Sequence, residues 1–240
     1  MFSEVSFNRS ADEVDGDAQR VLAIGAHPDD IELGCGATLL AHRARGDKVS
    51  MLVMTAGERG PQDARSRVRE QEEAASMLGA DLYWGEFLDG SVPDGREGVS
   101  VVETVMGITA ADVVYVHSPN DSHQDHRATS AVTMSAARKA RQILFYASPS
   151  TYRFEPTHFI DVAGLVEGKL DLLRCHMSQV MKSGMVDLEA VEAESRYRGH
   201  QARARFAEAF EAHRFAMRLT PRAPRAALAG AEIVSLNRAS

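Results

Sequence analysis

Residues 21–26, Val-Leu-Ala-Ile-Gly-Ala, carry no charge and end abruptly in His27, Pro28, Asp29 and Asp30. A short run that is apolar on both faces fits a central strand of a parallel sheet, covered from both sides. Pro28 pushes the residue before it out of helical geometry, so the strand stops near His27. From Ile31 to Arg45 the apolar positions Ile31, Leu39 and Leu40 have helical spacing. His27, Asp29 and Asp30 therefore lie on a strand-to-helix turn, at the carboxyl end of a strand, where open α/β sheets bind their ligands.

The same alternation continues along the chain. Strands are expected at Lys48–Met54, Asp81–Leu88, Asp112–His117, Gln142–Ala147 and His158–Val162, with helices at 64–78, 97–110 and from Arg127 to about Lys139. Residues 166–218 read as two amphipathic helices broken at Ser183-Gly184. The expected fold class is α/β: a Rossmann-like, mostly parallel sheet with helices on both faces and a helical C-terminal extension. The organisation expected is an acidic N-terminal arm over 1–19, one domain over 20–218, and a tail over 219–240.

Composition removes several classes. A net charge of −7 argues against nucleic-acid binding. No apolar run approaches the ~18 residues needed to span a bilayer. Cys35 and Cys175 are too few for a disulfide framework, and no leader-like segment opens the chain, so a cytoplasmic protein with reduced thiols is expected.

A second strand ends in an unusual loop, Ser118-Pro-Asn-Asp-Ser-His-Gln-Asp-His126, too rich in histidine and carboxylate for a simple reversal. Catalytic zinc takes three protein ligands from His and carboxylate and leaves a position open. His27 and Asp30 supply two, and the His123 to His126 segment supplies the third, because parallel strands bring their carboxyl-end loops together. Asp29 then stands beside the metal as a general base, and His123, paired with Asp125, as the donor to a developing oxyanion and to the departing amine. A helix N-cap is the competing reading of Asp29 and Asp30. His42, His158, His176 and His213 stand alone in the pattern and are expected to be structural, with His117 and His200 little better placed.

These segments resemble the zinc-dependent de-N-acetylases of the PIG-L/LmbE family. The resemblance is carried by Ala26-His-Pro-Asp-Asp30, Gly34-Cys-Gly-Ala-Thr38, Thr55-Ala-Gly-Glu-Arg-Gly60, the helix with Arg67, Glu70, Leu78 and Gly79, and Pro119-x-Asp-x-His-x-Asp-His126, with weaker matches at 193–200 and 205–210. It implies a Rossmann-like fold and hydrolysis of an N-acetyl group from an N-acetylglucosamine-type sugar. It implies one zinc ion per subunit on His27, Asp30 and His126, Asp29 as base, and His123 as acid or oxyanion donor oriented by Asp125. Arg67 matches a substrate-contacting position, with Arg69 as the alternative register; Asn120 and Asp121 are the further expected substrate contacts. The chain departs from many members where Ile31 separates Asp30 from Glu32. The partner expected is a small aminosugar, with no nucleic acid and no membrane segment, and the C-terminal helices suggest a homo-oligomer.

Two alternatives remain. One is an amidase of a larger thiol- or natural-product-linked amide. The other is a nucleotide-binding Rossmann protein, but its first turn needs Gly-x-Gly-x-x-Gly for close approach of phosphate. Here that turn holds Pro28 and two carboxylates.

Overall fold

The computed structural model describes residues 18–60, 64–183 and 186–217. The strands β1 (Arg20–Gly25), β2 (Lys48–Thr55), β3 (Asp81–Phe87), β4 (Val113–His117), β5 (Gln142–Tyr146), β6 (His158–Asp161) and β7 (Ala207–Phe215) form one sheet in the order β3-β2-β1-β4-β5-β7-β6. The first five pair in parallel, and β7 runs antiparallel to both β5 and β6. The helices are α1 (Asp30–Ala44), α2 (Ala64–Leu78), α3 (Arg96–Thr109), α4 (Gln124–Ala136), α5 (Val166–Cys175) and α6 (Leu188–Ala202). The arm and tail expected at the two ends fall almost wholly outside the described residues. Among the described residues no helix is long and apolar enough to cross a membrane.

The charge-free run that follows Arg20 is explained by the layers packed on its two faces. Leu22 and Ile24 pack with Val102 and Val105 of α3 and Val132 of α4, whereas Val21 and Ala23 pack with Ile31 and Leu39 of α1, Leu78 of α2 and Leu172 of α5. Strand order reverses between β1 and β4, which pair with Ile24 opposite Val116. That reversal leaves a crevice at the strands' carboxyl ends. The loop after β1 and the loop after β4 both open into it.

The C-terminal part departs from the expected pair of helices. A π-helical turn, Ser178–Ser183, follows α5, and α6 ends at Arg203, which adopts a left-handed φ of 61°. Ala207–Phe215 is then a strand between β5 and β6. Its Glu208 is an unusual residue for the inside of a sheet. In the fold that carboxylate is buried, 2.6 Å from Lys169 Nζ.

The same ion pair splits α1. Cys35 is non-helical (φ −148°). Lys169 Nζ donates to the carbonyl of Leu33 at 2.7 Å, and Glu208 accepts from the N–H groups of Ala37 and Thr38 at 3.2 and 2.7 Å. Main-chain groups orphaned by the break thus regain partners. The first turn, carrying Asp30, is set at its own angle. Gly34 lies so close to the Tyr146 ring that a Cβ there would sit 2.1 Å from Cδ2, and Tyr146 Oη donates to the Ile24 carbonyl at 2.8 Å.

Candidate functional site

The turn after β1 is closed by its own acid: His27 N–H donates to Asp30 Oδ2 at 2.7 Å. Asp29 holds a left-handed φ of 93° as the α1 N-cap, without a side-chain capping bond. The N-cap alternative for its carboxylate is therefore not realised. A non-glycine residue in that region costs on the order of 1–3 kcal/mol and persists only where its surroundings fix it. They do so here through α2, where Gln71 Oε1 accepts from Asp29 N–H at 3.2 Å and an Arg67 Nη donates to the Pro28 carbonyl at 2.8 Å.

The two loops meet. His27 Nδ1 lies 3.3 Å from Asp30 Oδ2, and His126 Nε2 lies 3.5 Å from Asp30 Oδ1. Two imidazoles and a carboxylate are donors that zinc takes, and Asp30 turns one oxygen to each ring. The outward nitrogens support the fit, since metal-bound imidazoles normally donate their other N–H to a carboxylate. His27 Nε2 faces Asp89 and Asp125 at 3.1 and 3.2 Å, and His126 Nδ1 faces Asp121 at 3.2 Å. Among the described residues, the sets whose ligand atoms all lie within 4.8 Å of one another are His27, His123 and His126; Asp30, His117 and His126; and His27, Asp89 and Asp125. All these groups are shared within one cluster.

His123 caps α4 by accepting from Asp125 N–H through Nδ1 at 3.2 Å, which puts its own proton on Nε2. Its ring stands edge-on to His27 and stacks on His126.

Several expected roles change in the structure. The Asp125 carboxylate does not orient His123. It accepts from the N–H groups of Gly90 and Val92 and faces His27. Asp121 is fully buried, accepts from the hydroxyls of Ser148, Ser150 and Thr151, and backs His126. Arg67 faces the site while Arg69 is exposed, which settles the register. Yet the Arg67 guanidinium is committed to the carbonyls of Pro28 and Gly57 and stands 3.8 Å from Asp29 Oδ1. It fastens the loops that carry Pro28 and Gly57. Asn120 stays half-exposed, its carbonyl accepting from Tyr152 N–H.

Three residues were missed. His117 ends β4 as His27 follows β1; its Nε2 is 3.1 Å from Asp30 Oδ2 and its ring stacks on His126 at 3.9 Å. That shared position at neighbouring strand ends was the signal available. Asp89, in a loop without pattern, gave none. Gln71, a polar residue four after Arg67 on the buried face of α2, broke the apolar stripe and could have been noticed.

Charge is unevenly held. Burial opposes protonation of His27, but Asp125, Asp30 and Asp89 outweigh it and push its pKa up to about 12. Burial, reinforced by Asp30, raises Asp29 to about 7. Burial opposes ionisation of Asp30, but His126 and His117 hold it well below the usual carboxylate range. Burial lowers His117 to about 4.

The chain is similar in sequence and in fold to known proteins. The sequence model of the PIG-L family, described as GlcNAc-PI de-N-acetylase, matches residues 22–137. YaiS of Escherichia coli K12, named an uncharacterized deacetylase, is 35% identical over 154 residues, covering 59% of this chain and 81% of its own. Diacetylchitobiose deacetylase of Thermococcus kodakarensis is 28% identical over 189 residues, covering 68% of this chain and 71% of its own. The N,N'-diacetylchitobiose deacetylase structure from Pyrococcus horikoshii superposes with a TM-score of 0.73 at 26% identity, over 82% of this chain and 84% of that one.

Proposed function

Since the chain belongs to the PIG-L family of de-N-acetylases, we propose that it is a zinc-dependent hydrolase that removes the N-acetyl group from an N-acetylglucosamine-type aminosugar conjugate. The convergence of His27, Asp30 and His126 across two loops, each imidazole backed by a carboxylate, carries this reading. Two imidazoles and a carboxylate suit zinc, and the aminosugar class is supported by the diacetylchitobiose deacetylases among the relatives. A zinc ion bound there supplies Lewis acidity, polarising the acetyl carbonyl and easing loss of a proton from water.

The remaining work falls to the chain's own groups. Asp29, raised to about 7, accepts the proton of the attacking water as the new C–O bond forms. His123 presents its Nε2–H to the carbonyl oxygen as that oxygen gains charge. When the C–N bond breaks, the nitrogen takes the proton that Asp29 had accepted and leaves as the amine, while the acetyl group departs as acetic acid, which ionises to acetate. Asp121 and Asp125 keep the imidazoles turned the right way. Release of acetate from a panel of N-acetylated aminosugars, with equal release of free amine, tests this reading; absence of acetate from every member would refute it.

Proton linkage provides a separate check. Without metal, His27 holds an extra proton far into the alkaline range, and burial of His126 is likewise outweighed by Asp30 and Asp121, which raise it. Metal must displace those protons, so its affinity rises with pH, about tenfold per unit for each proton released. Calorimetric zinc titrations at pH 7 in buffers of different ionisation enthalpy should report release of at least about one proton per ion. Heats that do not depend on the buffer would contradict it.

A further inference from the structure

Behind Asp29, away from the crevice, lies a polar group that the reaction does not use. Gln71 Nε2 donates to Glu32 Oε1 at 2.7 Å, and His176 Nε2 stands 3.5 Å from the same oxygen. Gln71 and His176 are fully buried and Glu32 is 1% exposed. Glu32 Oε2 and His176 Nδ1 have no hydrogen-bond partner among the described residues. Burying an ion pair so incompletely satisfied is costly, and apolar side chains of similar size would normally serve a core better. His176 also sits where α5 gives way to the π-helical turn, a feature frequent at functional sites.

We infer that Glu32 and His176 are positioning residues for the base: their buried pair fixes the orientation of the Gln71 amide, and Gln71 holds Asp29 in its left-handed conformation. An amide side chain fits its space in two orientations, only one of which offers an acceptor to Asp29 N–H. Glu32 Oε1 accepts from the NH2 end of the amide, which leaves the amide Oε1 for Asp29. His176 supports the Glu32 oxygen in a place where water cannot. Arg67, one helical turn before Gln71, pins the preceding carbonyl at Pro28. The base is thus gripped from α2 on both sides. The inference rests on Asp29 acting as the base.

The test uses Glu32→Gln, Gln71→Glu and the double exchange, read in two ways. In the zinc-loaded enzyme each single variant is expected to lower kcat about tenfold, as misplacement of a reacting group does, with KM and zinc content unchanged. In the metal-free protein the Asp29 amide should exchange with solvent faster. The double exchange restores the donor and acceptor order, because Gln at 32 donates to Glu at 71, whose other oxygen accepts from Asp29. It should recover most of both signals. Wild-type kcat and amide protection in Glu32→Gln, or a double variant no better than the worse single, would overturn the inference. Amide exchange needs no turnover, so it judges this chain of contacts even if the deacetylase reading fails.

Discussion

Asp29→Asn is expected to keep its full complement of zinc and to lose at least ~10²-fold in kcat, the usual contribution of a positioned general base. Asparagine is the informative replacement. It tolerates the left-handed region better than alanine, so the φ of 93° and the Gln71 contact should survive. Only the ability to take a proton is removed. KM should change little, because Asp29 is buried between Arg67 and the cluster and has no evident part in holding a sugar. A variant that keeps wild-type turnover with zinc bound would remove Asp29 as base.

His126→Ala has the other large effect. Loss of a residue that merely supports a metal ligand costs about 10–100-fold in affinity, so loss of the ligand itself should exceed about 10²-fold. Activity should fall with zinc content. The fold should tolerate the change, since Asp121 keeps bonds from the hydroxyls of Ser148, Ser150 and Thr151 after the imidazole is gone. Retention of zinc at wild-type affinity would exclude His126 as a ligand and leave His117 or His123 to replace it.

Much of the architecture was legible because it is local. The charge-free run 21–26, the Pro28 stop and the strand-helix alternation identify a parallel sheet, and a parallel sheet brings its loops to one end. The strand formed by Ala207–Phe215 was not legible because its ladder partners lie far away in sequence and its Glu208 is neutralised by Lys169 of another helix. The site divides similarly. That the loop with His27 and Asp30 meets the loop with His126 could be read from residue type and position. Which carboxylate supports which imidazole could not, because Asp89, Asp121 and Asp125 reach their histidines through loop geometry. Arg67 shows a further limit. Its place on the helix was readable, but its commitment to two carbonyls depends on Gly57, where a Cβ would lie 2.1 Å from the guanidinium.

The central claim is that two loops grip a single ion on which hydrolysis depends. Its most direct measurement is a titration of metal-free protein with zinc while acetate release from an N-acetylated aminosugar is followed. Activity should rise from baseline in proportion to added zinc and level off at one ion per chain. Full turnover before any zinc is added, with chelator present throughout, would contradict it.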